Sequence, residues 1–205
     1  MNEPHMIFTV GHSTQPVDHL LEVLARHSIQ AVVDVRSSPY SGRLPWFNKE
    51  ALIESLSQSS IKYIFMGREL GGRGDGPGVF GADGRVRYDK IVATDSYNRA
   101  IQRVIDGSSR MRVVLLCSEK DPINCHRALM VSRSLNDVGV LVQHILADGS
   151  LETHKEFEVR LRDRSSGNQL DLLTSEDELL DQAYESQASR VAFKQTELSE
   201  REEPE

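Results

Sequence analysis

Only two cysteines occur in 205 residues, and no signal-peptide pattern opens the chain. Both absences point to a reducing cytoplasm. No apolar run approaches the length of a membrane span, so no membrane partner is expected. Positive charge is also short. Lys and Arg number 24 against 31 Asp and Glu, giving a net charge of −7 and a pI near 5.5. That excludes a uniformly basic nucleic-acid binder and leaves room for a local basic patch. The length suits one α/β domain with a real core.

What is present alternates. Short apolar runs at Met6–Val10, Ala31–Val35, Ile61–Phe65, Arg112–Leu116 and Val140–Leu146 read as strands. Between them lie helical periods. The first starts at Pro16, capped by Ser13 or Thr14, with Val17, Leu20, Leu21, Val23 and Leu24 apolar. The second is capped by Asn48 and carries Leu52, Ile53 and Leu56. Tyr88–Ile105, Ile123–Leu135 and Leu151–Leu161 complete the set. The pattern predicts a doubly wound, mostly parallel five-stranded sheet with helices on both faces, over residues 1–162. From Asp163 onward twelve acidic residues face four basic ones, so this segment carries −8 and the rest +1. A Ser175-x-x-Glu178 capping box starts one helix to about Phe193, and Glu197–Glu205 reads as disordered. Residues 163–205 are thus expected to form an acidic helical tail, solvated and separable.

Ligands of such sheets sit beyond the carboxyl ends of the strands. The loops there hold the distinctive polar residues: Gly11-His12-Ser13, Asp34-Val35-Arg36, Gly67 to Arg73, Cys117 to Arg127 and Asp148-Gly149. The glycine-rich passage to Gly84 reads equally as a lid or a surface loop. Cys117 to Arg127 is the densest of these stretches. It holds both cysteines, Glu119, His126 and Arg127, and Asp121-Pro122 opens a helix there. A thiol at a helix start beside His126 and Arg127 ionises easily. Cys125 is therefore expected to react, and Cys117, at the end of a buried strand, to stay protected.

These motifs, with Glu69-Leu70-Gly71-Gly72, Cys117-x-Glu119-Lys120-x-Pro122-x-x-Cys125-His126-Arg127 and His144-Ile145, resemble the domain-of-unknown-function family numbered 488. The resemblance covers Ile7 to Asp148. It implies a cytoplasmic bacterial or archaeal α/β domain and assigns no reaction. The segment after Arg162 lies outside it.

Chemistry is then read from the residues. Cys117, Glu119, Cys125 and His126 are the catalytic candidates, with a thiol and a proton-moving carboxyl or imidazole. His12, Ser13, Asp34, Arg36, Arg73 and Arg127 are the substrate-binding candidates, the arginines clamping an anion. Structural pairing of those arginines with Asp34, Glu69 or Glu119 is the competing account. His144, inside a strand, reads as a satisfied core histidine. The leading expectation is an enzyme acting on a phosphate-bearing nucleotide or a nucleic-acid end. A rhodanese-like sulfur-transfer or thiol-redox protein is the first rival, although the rhodanese arginine would stand five residues after Cys117, where Pro122 is. A non-catalytic binding module with a structural Cys/His cluster is the second. No cofactor is expected. Zinc is the minority reading, because the seven-residue gap between the cysteines is not a standard spacing. Oligomeric state is not set by the sequence.

Overall fold

The structure is a computed structural model and describes residues 6–74, 77–165 and 174–195. Its elements in chain order are β1 (Met6–Gly11), α1 (Val17–Arg26), β2 (Ala31–Asp34), α2 (Lys49–Gln58) and β3 (Lys62–Phe65). Then come α3 (Tyr88–Val92), α4 (Asp95–Ser108), β4 (Val113–Cys117), α5 (Arg133–Asp137), β5 (Leu141–Ile145), β6 (Leu151–Thr153), α6 (His154–Ser165) and α7 (Glu176–Val191). The strands form one sheet in the order β3-β2-β4-β1-β5-β6. The five expected strands are all there and mutually parallel. A sixth, β6, pairs antiparallel to β5. Its three residues fall in the stretch expected to be helix, which begins only at His154.

Both faces of the sheet are covered, and strand residues alternate between the two cores. Val113, Leu115 and Cys117 of β4 pack toward Tyr97, Ala100, Ile101 and Val104 of α4 and Leu135 of α5. Val114 and Leu116 pack toward Leu20, Val23 and Leu24 of α1 and Leu52 and Leu56 of α2. This two-sided burial explains the uninterrupted apolar runs.

The winding reverses once. From β1 the chain steps outward through α1 and α2 to β3 at one edge, with both helices on one face. It then returns, with α4 and α5 on the other face, to place β4 between β2 and β1 and β5 beyond β1. Right-handed crossovers running in opposite directions put their helices on opposite faces. The chain leaving β4 therefore parts from the chains leaving β1 and β2, and a crevice opens at their carboxyl ends.

Local expectations fail where side chains find other partners. Pro16, not Ser13 or Thr14, occupies the N-cap of α1, with no side-chain cap bond. Ser13 adopts φ 53°, and its backbone N–H donates to Ser118 O at 2.9 Å. Asn48 does stand at the N-cap of α2, but its Oδ1 accepts from the Ser41 N–H at 2.6 Å. The helix expected over Tyr88–Ile105 breaks in two, because the Thr94 side chain caps α4 by accepting from Tyr97 N–H. The helix expected over Ile123–Leu135 becomes a 3-10 turn (Pro122–Asn124), a π-helix (Arg127–Ser132) and α5. Asp121 caps the turn as expected, accepting from Ile123 N–H at 3.0 Å.

The acidic tail is not a solvated appendage. The expected boundary at residues 162–163 falls inside α6. Ser175 and Glu178 form the capping box that starts α7. Ala183 and Tyr184 of α7 are buried with Ile123, Ala128, Leu129, Phe157 and Leu161 in a third core. Past the helix, Val86 N–H donates to Phe193 O, and Gln195 N–H to Gly84 O, tying the chain to the glycine-rich loop. The segment expected to be disordered, Glu197–Glu205, lies outside the described residues.

Under this third core runs a buried polar chain. Tyr184 OH donates to Glu158 Oε1 at 3.1 Å. Its oxygen then accepts from His154 Nε2 at 2.9 Å. That leaves His154 Nδ1 to accept from His144 Nε2 at 3.0 Å, and His144 Nδ1 to accept from Thr9 Oγ1 at 2.8 Å. One direction satisfies every group, with both imidazoles neutral. His144 is thus the satisfied core histidine the strand implied. Burial lowers both histidines, His154 from 6.5 to about 4 with help from Arg133, and His144 with help from His154. The unfolded chain takes up these protons first as pH falls, so stability is full above about pH 6.5 and is lost between 6.5 and 4. His154 alone accounts for about 3 kcal/mol. Urea midpoints measured across that window should drop, and less steeply in His154→Gln. Parallel pH profiles for parent and variant would refute this.

Candidate functional site

The crevice holds a cavity of about 240 Å³. The chain leaving β2 and the end of β4 line it, and the end of β1 supports them from behind. β2 ends in Asp34, fully buried, and the chain turns so that Arg36 comes back onto it. Arg36 Nη2 donates to Asp34 Oδ2 at 2.6 Å and Nε to Oδ1 at 2.9 Å. Its Nη1 donates to Phe47 O at 2.9 Å and to His12 Nε2 at 3.2 Å, and Tyr63 OH donates to Asp34 Oδ2 at 2.8 Å. Arg36 lines the cavity, but its guanidinium is already engaged.

His12 follows Gly11 at the end of β1. Its ring stacks on Phe47 with centroids 4.0 Å apart, and Nδ1 donates to Ser13 O at 2.7 Å. Nε2 is left to accept from Arg36. Burial and the neighbouring Arg36 lower His12 to about 4, partly opposed by the bond to Ser13. It is a neutral support behind the cavity, and Ser13 sits beside it. Gly11 does allow a close approach, but of protein: a Cβ there would lie 1.8 Å from Glu119 O.

β4 ends in Cys117, and the following loop folds back through the Pro122–Asn124 turn to bring Cys125 and His126 beside it. Glu119 Oε2 accepts from Cys117 Sγ at 3.0 Å and from Cys125 Sγ at 3.1 Å. His126 Nε2 donates to Val35 O at 3.0 Å, and its Nδ1 lies 3.7 Å from Cys117 Sγ. Cys117, Glu119 and His126 face the cavity, and Cys125 sits behind them. This reverses the expected exposure of the two thiols, although both are almost fully covered, at 3% and 1%.

Arg127 holds the loop's shape. It is fully buried, and Nη1 and Nη2 donate to the carbonyls of Glu119 and Lys120 at 2.6 and 3.3 Å. It starts the π-helix, whose buried Ser132 donates to Arg127 O at 2.7 Å. π-turns are frequent at functional sites.

Electrostatics divides the cluster unequally. Burial resists ionisation of Cys125, but the bond from Cys117 and the charges of Arg127 and His126 outweigh it and hold this thiol well below its usual range. Burial and the Cys125 charge push Cys117 up. Burial would lower His126, but Cys125 and Glu119 raise it. Burial and Cys125 raise Glu119. The protonation of each of these groups therefore depends on that of the others.

The opposite wall comes from loops and the tail. Arg73 is exposed on the rim, with its backbone N–H donating to Ser37 Oγ at 3.0 Å and its guanidinium 4.9 Å from the Phe193 ring. Tyr88, Asn124, Val191 and Phe193 also line the cavity, and sequence reasoning passed over all four. Asn124 lies inside the motif stretch and Tyr88 opens a helix, but nothing in their spacing marks a pocket. Five of the ten expected site residues thus border the cavity: Cys117, Glu119, His126, Arg36 and Arg73. The other five, Cys125, His12, Ser13, Asp34 and Arg127, do not line it.

Residues 16–133, more than half of the chain, match the family model described as "Domain of unknown function DUF488". The stretch includes the Asp34, Gly71-Gly72 and Cys117–Arg127 motifs and leaves out Gly11-His12-Ser13, His144-Ile145 and α7. No curated protein and no solved structure matches the chain. Among the described residues no helix is long and apolar enough to cross a membrane.

Proposed function

The chain belongs to the DUF488 family, and on the chemistry of its cavity we propose an enzyme that acts on the phosphate-bearing end of a nucleotide or nucleic acid. The observation that carries this reading is the meeting of Cys117, Glu119 and His126 on one wall with Arg73 on the other, at the sheet's reversal point. A volume of about 240 Å³ is smaller than the ~300–1,000 Å³ of pockets that enclose a whole ligand. It suits a terminal group, with the remainder outside. Ser37 and Ser118 add hydroxyls at the wall. Of the three arginines expected to clamp an anion, Arg73 is the one on the exposed rim, whereas Arg36 and Arg127 act through Asp34 and the loop carbonyls. Glu119, raised by burial and Cys125, is suited to hand a proton to or take one from a bound group.

Inorganic phosphate or a nucleoside monophosphate should raise the melting temperature. At a concentration about 100-fold above its Kd a ligand stabilises by about 2.7 kcal/mol. Arg73→Ala should lose most of that shift and keep its own ligand-free stability. An equal shift in the variant would remove the anion reading. The thiol-redox alternative is favoured by one observation, two free thiols whose sulfurs lie within 4.8 Å.

A further inference from the structure

The inner end of the cavity places soft donors together in a way that anion binding does not require. Cys117 Sγ, Cys125 Sγ and a ring nitrogen of His126 all lie within 4.8 Å of one another. Cys117 Sγ and His126 Nδ1 are 3.7 Å apart. A sulfur and a nitrogen on one tetrahedral zinc ion, bound at about 2.3 and 2.0–2.1 Å, stand about 3.6 Å apart. His126 Nε2 is committed to Val35 O, so the Nδ1 lone pair is the one left for a cation. An outer hydrogen bond of this kind fixes the tautomer and orientation of a metal-binding imidazole. Gly72 closes the other side of the ring. A Cβ there would come within 2.6 Å of the imidazole, so backbone packs directly against it.

We propose that Cys117, Cys125 and His126 bind one thiophilic divalent cation of the zinc class, with its fourth position opening into the cavity beside Glu119. The seven residues between the cysteines are no obstacle, because the Pro122–Asn124 turn folds the loop back on itself. Charge favours the same arrangement. Arg127 is fully buried, and its hydrogen bonds go to backbone carbonyls, so its cation needs an anionic neighbour. Two thiolates cancel a divalent charge, and both cysteines also feel the Arg127 cation. On binding, Cys125 coordinates through the thiolate that its surroundings already favour, the Cys117 S–H bond gives way to a metal–sulfur bond and its proton leaves to solvent, with no change of oxidation state. A cation so placed has three protein ligands and an open position facing substrate, the pattern of reactive rather than purely structural sites. The inference shares its cavity with the phosphate reading but does not need phosphate to bind.

The test uses the full chain, reduced, stripped with a chelator and titrated with Zn²⁺ or Co²⁺. The parent should retain about one equivalent through gel filtration, and Co²⁺ should give the near-ultraviolet absorption of thiolate-to-cobalt charge transfer. Cys117→Ser, Cys125→Ser and His126→Ala should each weaken retention at least about 10-fold. The parent's cobalt spectrum does not depend on how the variants fold. A folded, reduced parent that retains no metal overturns the proposal. So does a parent in which mild oxidation joins Cys117 to Cys125 equally fast with and without excess Zn²⁺. A phosphate-induced melting shift, measured on the same stripped protein, separates the two readings. If that shift persists without metal retention, the metal proposal falls alone; metal retention without the shift removes only the anion reading.

Discussion

Deleting the chain from Ser175 onward should leave a core that no longer folds to a stable state. The acidic composition of this segment suggested the opposite. The structure gives α7 a hydrophobic seam, with Ala183 and Tyr184 buried against Ile123, Ala128, Leu129, Phe157 and Leu161. Burying one large apolar side chain is worth about 1.5–3 kcal/mol, and a whole domain is stable by only about 5–15 kcal/mol. Removing α7 uncovers several such side chains together. It also leaves Ile123 O without its donor, Gln187 Nε2 at 2.9 Å, and Glu158 without Tyr184 OH. The truncated protein should be insoluble, or should lose its cooperative thermal transition. A truncation that melts within a few degrees of the parent would show that α7 contributes little.

Arg127→Ala should be the most damaging single change, costing about 3–5 kcal/mol. The side chain is fully covered, so its removal opens a cavity. The carbonyls of Glu119 and Lys120 lose their donors at the same time. Each buried acceptor left alone costs about 1–3 kcal/mol. Arg127→Met separates the causes: it keeps most of the volume and removes the donors, so it should recover only part of the loss. Urea unfolding of the three proteins measures this. If Arg127→Ala unfolds within about 1 kcal/mol of the parent, the loop is held by something else. A loss of the expected size would favour the structural account of Arg127 over the anion clamp.

The sheet was legible because its strands are buried on both faces. Runs such as Val113–Leu116 permit few other readings, and the reversal of winding then placed the site at the carboxyl ends. β6 was hidden because Leu151–Thr153 is short, half exposed and continuous with a helix. α7 was misjudged because its charge was read without its seam; Ala183, Tyr184 and Gln187 carry no obvious hydrophobic period. The roles inside the site were hidden for a different reason. Cys117 and Cys125 differ in which one borders the cavity, and that depends on how the loop folds back over Gly11. Sequence placed Asp34 next to Arg36 but could not say that the guanidinium turns inward. Tyr88, Val191 and Phe193 reach the pocket through tertiary contacts alone, from elements far apart in the chain.

Because Val191 and Phe193 form part of the cavity wall, the pocket is complete only after α7 has been made. Val191 follows His126 by 65 residues. At about 5–20 residues per second a ribosome needs roughly 3–13 s to cover that distance. During those seconds Cys117 and Cys125 lack the cover that the folded chain through Phe193 gives them. A nascent chain stalled before α7 should therefore expose Cys117 to alkylation, and protection should arrive with α7.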